Sequence, residues 1–226
     1  MQQNAHRKNG EAGFSLMELL VAMMVMMFIT GAATSLLVGA FNVRAREDNR
    51  SEALSDARRA LNIMSREIAN SGYQLPEGLT YTSGGGSLPV PSNGLIPTDC
   101  DGQSMTFVTN LDANIGGGNK DVNGADEAIK YQFFQEGASS FLVRKALNPG
   151  GGSLVLANRI DGLQFQYFNN VGVDTSADLT QATSVRITVW VTLNQIGTPG
   201  STSYQAPSQV TLSSDVELRN ANLGTF

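Results

Sequence analysis

From Leu19 to Phe41 no side chain is charged, and a carboxylate, Glu18, stands at the head of that run. At about 1.5 Å of rise per residue the run makes roughly 35 Å of helix, enough to cross a hydrocarbon core of about 30 Å. An acid left unpaired in such a medium costs several kcal/mol. The stretch therefore predicts a helix that cannot stand alone in water, carrying a charge that needs a partner. It is flanked on its N-terminal side by a polar segment with His6, Arg7 and Lys8, which places that end on the cytoplasmic side by the positive-inside rule.

The rest of the composition narrows the function classes. The only histidine is His6, so a product beginning at Phe14 has none, and Ser-His-Asp, Cys-His and His-ligated metal chemistry are excluded. No enzymatic role is expected. Without residues 1–13 the chain keeps 13 basic and 19 acidic side chains, an acidic balance with no electrostatic footprint for nucleic acid. A lone cysteine, Cys100, rules out an internal disulfide and reads as a partly buried structural thiol. Few charges and abundant Gly, Ser, Thr and Asn fit an extracytoplasmic β-rich domain of ordinary size.

The stretch Gly13-Phe14-Ser15-Leu16-Met17-Glu18-Leu19-Leu20-Val21-Ala22, behind a basic leader, resembles the class III signal of type IV pilins and of the pseudopilins of type II secretion. That resemblance implies removal of residues 1–13 by a prepilin peptidase cutting between Gly13 and Phe14, followed by methylation of the Phe14 nitrogen. It also implies an assembly role for Glu18. Cleavage before the apolar run keeps the anchor and creates an ammonium about one helical turn from Glu18. The carboxylate can neutralise that ammonium or, as the family implies, the one on an adjacent subunit. In low dielectric such a pair is worth far more than on a surface and favours assembly in a fixed axial register.

The helix is expected to continue past the membrane. Leu54, Ala57, Leu61, Met64 and Ile68 recur at helical spacing over residues 42–72, with Gly72 as C-cap and Pro76 beyond. From Phe14 to Ser71 it would run about 87 Å. The methionines gathered in the apolar part read as adaptable packing, Gly31 and Gly39 as places where the helix bends or loosens, and Ala32, Ala33 and Ala40 as places for close helix approach. The stretch Ala57 to Tyr73, ending in Ser71-Gly72-Tyr73, looks like the end of the helix in PilW-type minor pilins, and J-type pseudopilins have a related helix.

Residues 73–104, rich in Gly, Ser and Pro, read as a long irregular connection. The glycine triplets have no Lys-Ser/Thr after them and are turns, not a phosphate loop. Residues 105–226 form a β-rich domain, with strands expected near Met105–Val108, Ala128–Phe134, Phe141–Ala146, Ile160–Phe168, 185–193 and 210–218. They predict one antiparallel sheet with one face on the helix, and Trp190 on the other side, under a loop or at an interface. The fold class is thus α+β and pilin-like: a long N-terminal helix, its first half (14–41) transmembrane, packed on antiparallel strands.

Asp112, Asn114, Asp121, Asn123, Asp126 and Glu127 gather in one Gly/Asn-rich loop. Their spacing does not match an EF-hand, so solvated turn residues are the first reading. Asp112, Asp121, Asp126 and Glu127 stay as weak calcium candidates, and no other cofactor is expected. The segment 124–131 also resembles the loop-to-strand entry of PilW-type sequences.

The resemblance as a whole implies a minor, PilW-type pilin that takes part in initiating or assembling a type IV pilus. Its partners would be the prepilin peptidase, the major pilin, other minor pilins and the inner-membrane assembly platform. The chain would be a single-pass bacterial inner-membrane protein with its C-terminal domain in the periplasm, later in the pilus at the cell surface. A J-type pseudopilin of a type II secretion system shares every N-terminal feature and stays open. So does a membrane-anchored surface adhesin or calcium-binding module.

Overall fold

The computed structural model describes residues 14–83, 86–111, 122, 124–137, 139–193, 195–197, 199–200 and 204–221. The chain divides into two units, Met1–Arg46 and Glu47–Phe226. Helix α1 (Leu16–Ile68) supplies all the described regular structure of the first unit and continues into the second. Its residues are mostly Ala, Leu, Met, Arg and Glu, strong helix formers, with no proline.

In the second unit α1 buries Ala53, Ala57, Ala60, Leu61, Met64 and Ile68. The stripe expected from Leu54 is thus rotated slightly: Ala53 takes the buried place and Leu54 lies half-buried at its flank. Small alanines in the first turns of that stripe let the strands come close to the helix axis. The helix stops where Asn70-Ser71-Gly72 predicts. Gly72 has φ +77°, and a Cβ there would lie 2.3 Å from the Ser92 carbonyl oxygen. Only glycine fits that corner.

Among the described residues nine strands follow, all paired antiparallel, in three sheets where one was expected. Strands β1 (Thr80–Ser83) and β2 (Gly86–Pro89) make a hairpin inside the segment expected to be irregular, so that connection carries structure of its own. Strands β3 (Ser104–Val108), β4 (Ala128–Glu136), β5 (Ser139–Ala146) and β6 (Ser153–Ala157) form a four-stranded sheet in chain order. Strands β7 (Gly162–Phe168), β8 (Ser184–Leu193) and β9 (Ser208–Glu217) form a three-stranded one. The two larger sheets are stitched at Gly102-Gln103, whose carbonyls accept the Phe165 and Phe133 amides at 2.9 and 3.0 Å.

The buried stripe of α1 joins one core with Met105, Phe107, Tyr131, Leu163, Phe165 and the inward residues of β8. Those β8 residues are Val185, Ile187, Val189, Val191 and Leu193, as the period-2 alternation requires. Trp190, on the outer face, lies across Gly162, its cross-strand partner; a Cβ at Gly162 would sit 2.1 Å from the indole ring. A neighbouring strand's glycine thus makes room for the ring.

Candidate processing and assembly site

The start of α1 is built by its own backbone. The Ser15 carbonyl accepts the Glu18 and Leu19 amides at 3.0 and 3.1 Å, which makes Ser15 the N-cap residue. Ser-x-x-Glu is the composition of a capping box, and an acid in the first turn is favoured by the helix dipole. That second reason for a serine and a glutamate at this spacing was legible in the sequence. Glu18 is exposed, and Phe14, just before the helix, is 84% exposed. Gly13 lies outside the described residues.

Between Leu16 and Val43 the apolar side chains are exposed nearly without exception, among them Met27 at 80% and Phe28 at 79%. The helix is long and apolar enough to cross a membrane, and its most apolar stretch is not buried against the rest of the chain. Two of its hydroxyls turn inward: Thr30 Oγ1 donates to the Met26 carbonyl at 2.7 Å and Thr34 Oγ1 to the Thr30 carbonyl at 2.8 Å. With those bonds made, neither threonine strands its donor in an apolar medium. A Cβ at Gly31 would meet nothing within 4 Å, so a second helix can approach there.

In the second unit two polar knots fasten the helix. The first lies between α1 and the four-stranded sheet. The Tyr131 hydroxyl donates to Glu67 Oε2, and Arg144 Nε donates to both Glu67 oxygens at 3.1 and 2.9 Å. Arg144 Nη2 reaches Asp126 Oδ1 at 3.0 Å. Burial, then the Glu67 charge, pushes the Tyr131 hydroxyl well above the usual phenol range. Burial opposes the Arg144 charge, but hydrogen bonds to Glu67 and Asp126 outweigh it and hold the guanidinium more firmly protonated than usual. Nothing in the sequence pairs Glu67 with Arg144, because the contact spans 77 residues.

The second knot closes the helix C-terminus. Ser71 Oγ donates to the Asn93 carbonyl at 2.6 Å, and Asn220 Nδ2 donates to the Ser71 carbonyl at 3.1 Å. Asn93 Nδ2 donates to the Leu179 and Ala182 carbonyls at 2.7 and 3.0 Å. All three side chains are buried, so each bond replaces water that cannot enter. Beside them Gly94 (φ +75°) backs onto Gly72, with room for no Cβ: it would lie 2.2 Å from the Gly72 nitrogen.

Of the calcium candidates, Asp112 and Asp121 lie outside the described residues, as do Asn114 and Asn123. Asp126 is held by Arg144. Glu127 is buried, and its two oxygens accept the Leu111 and Gly124 amides at 2.9 and 2.7 Å. Among the described residues no cluster of three or more His, Cys, Asp or Glu is arranged to hold a metal. Cys100 donates its thiol to the Thr106 carbonyl at 3.3 Å, and burial pushes the thiol up to about 11. It sits as a packed, poorly ionised group rather than a nucleophile.

Residues 8–34 match the family model of the prokaryotic N-terminal methylation motif. The motif takes in the head of α1, and the later part of that helix packs against antiparallel sheets. Among solved structures a type IV-like pilin from Thermus thermophilus is similar at 9% identity. That match covers 74% of this chain and 97% of the other at a TM-score of 0.40, too weak a likeness to carry an argument. No curated protein matches the chain in sequence.

Proposed function

We propose that the chain is a minor, PilW-type type IV pilin whose work is assembly rather than catalysis. It is cut between Gly13 and Phe14 by a prepilin peptidase, methylated on Phe14, and held in the inner membrane by the first half of α1 with its β domain in the periplasm. Other minor pilins, the major pilin and the inner-membrane assembly platform then draw it into a pilus. The observation that carries this is the exposed apolar half of α1, which begins inside a methylation motif. A surface of that kind is covered by lipid before assembly and by other subunits' helices after it.

Glu18 has a place in that exchange. Once in an apolar bundle, its carboxylate is stabilised by an ammonium at Phe14, its own or a neighbour's, and a subunit out of register leaves it unpaired. A J-type pseudopilin would have the same N-terminus, so the test must separate the two assemblies. Deletion of the gene should reduce surface pili, and the tagged chain should appear in the sheared fibre fraction. Unchanged piliation with loss of protein secretion would assign the chain to the pseudopilus instead.

A further inference from the structure

The solvent side of α1 in the second unit carries a groove of about 580 Å³ lined by Ser51, Ser55, Arg58, Arg59, Asn62, Ile63 and Arg66. Arg58, Arg59 and Arg66 are exposed, and none has a carboxylate partner among the described residues. In a chain of net charge −5, three such guanidiniums gathered on about two turns of one helix are a local inversion of sign. Arg159, Arg144 and Arg186, by contrast, each hold a carboxylate within 3 Å.

The groove's shape says what it would take. Ser51 and Arg58, Ser55 and Asn62, and Arg59 and Arg66 are each a heptad apart, so the channel runs close to the helix axis. Serines let a partner approach, Ile63 supplies a half-buried apolar floor, and the arginines flank it with forked donors suited to carboxylates. We propose that this groove docks an acidic helical segment of a neighbouring, different subunit in the fibre, carboxylates a heptad apart meeting Arg59 and Arg66. The inference rests on the assembly role given above and names the chemistry of one partner.

Other occupants fit less well. A long polyanion such as nucleic acid is repelled by the acidic remainder of the chain. A lipid surface is flat and meets the ridges of a helix rather than its groove. A second copy fits less well because the acids of its own helix past the apolar run, Glu47, Asp48, Glu52, Asp56 and Glu67, include no two that are a heptad apart.

The test uses the full-length chain in piliated cells, with a photo-cross-linking residue in place of Asn62 and, separately, in place of Val25 in the apolar half. The expected result is an Asn62 cross-link to an Asp/Glu-bearing helical peptide of another prepilin-type subunit. R58E/R59E/R66E should lower its yield roughly tenfold or more, while R58K/R59K/R66K retains most of it. If Val25 links to neighbouring subunits while Asn62 links to nothing, to a second copy, to lipid, to DNA or to a peptide without acids, the groove proposal is overturned and the assembly role stands. If neither position links to a subunit, the assembly role itself is wrong and the groove falls with it.

Discussion

One helix, two environments: residues 16–43 of α1 expose nearly every apolar side chain, whereas between Ala53 and Ile68 an apolar stripe is buried in the core of the β domain. The two stretches differ in what surrounds them, not in their capacity to form a helix. The later one satisfies itself within its own chain, with alanines against two sheets, a Glu67–Arg144 pair and a glycine corner at Gly72. The earlier one leaves its surface to lipid or to other chains. On the assembly role proposed above, stability is stored in one stretch and association in the other.

Breaking the stored side should have the largest effect. Gly94→Val forces a Cβ branch into the space where a Cβ already lies 2.2 Å from the Gly72 nitrogen, at φ +75°. A loss of about 4 kcal/mol or more is expected, read as collapse of the thermal transition of the detergent-solubilised chain, with the helical signal of the apolar stretch retained. Arg144→Met is next: Glu67 keeps only Tyr131, and its side chain, 30% exposed, is partly rescued by water. That change should cost about 2 kcal/mol in denaturant unfolding, less than a fully buried pair would.

Alkaline pH gives a smaller effect of definite sign. The Cys100 thiol ionises near 9.0 in an unfolded chain and near 11 in the fold, so the folded state prefers the neutral form. Its contribution is fully present below pH 9.0 and is lost as pH rises through about 11. Between those values Cys100→Ala should lose less stability than the natural chain, as followed by urea unfolding at each pH. Glu18→Ala sits at the far end of the scale. It should shift the thermal transition of the β domain by less than about 0.5 kcal/mol, as an exposed position does, and leave processing intact. Incorporation into fibres should nevertheless fall, and normal incorporation would show that the charge pair does not register the subunit.

What could be read from the sequence follows the range of the signals. The apolar run, the heptad-like stripe ending at Gly72 and the alternation of β8 are local patterns, and each landed within a few residues of its element. Strand β6 passed unnoticed because its exposed Ser153-Leu154-Val155 follows a glycine triplet and shows no alternation. The single expected sheet is three in the fold, and the contact at Gly102-Gln103 that links the two larger ones is made by hydrogen bonds between residues far apart in sequence. The same holds for Glu67 with Arg144 and for the Asn93 knot. Trp190 was correctly placed on the outer face, but its glycine partner on β7 depends on register, which the composition of one strand does not carry.

The methylation motif at residues 8–34 makes one chemical demand that can be weighed directly. Intact mass and N-terminal peptide mapping of the protein isolated from its native membrane or fibre should give a chain starting at Phe14 with one added methyl group on its nitrogen. A chain starting at Met1, or one cut beyond Ala33 so that the apolar helix is lost, would contradict the division of labour proposed for α1.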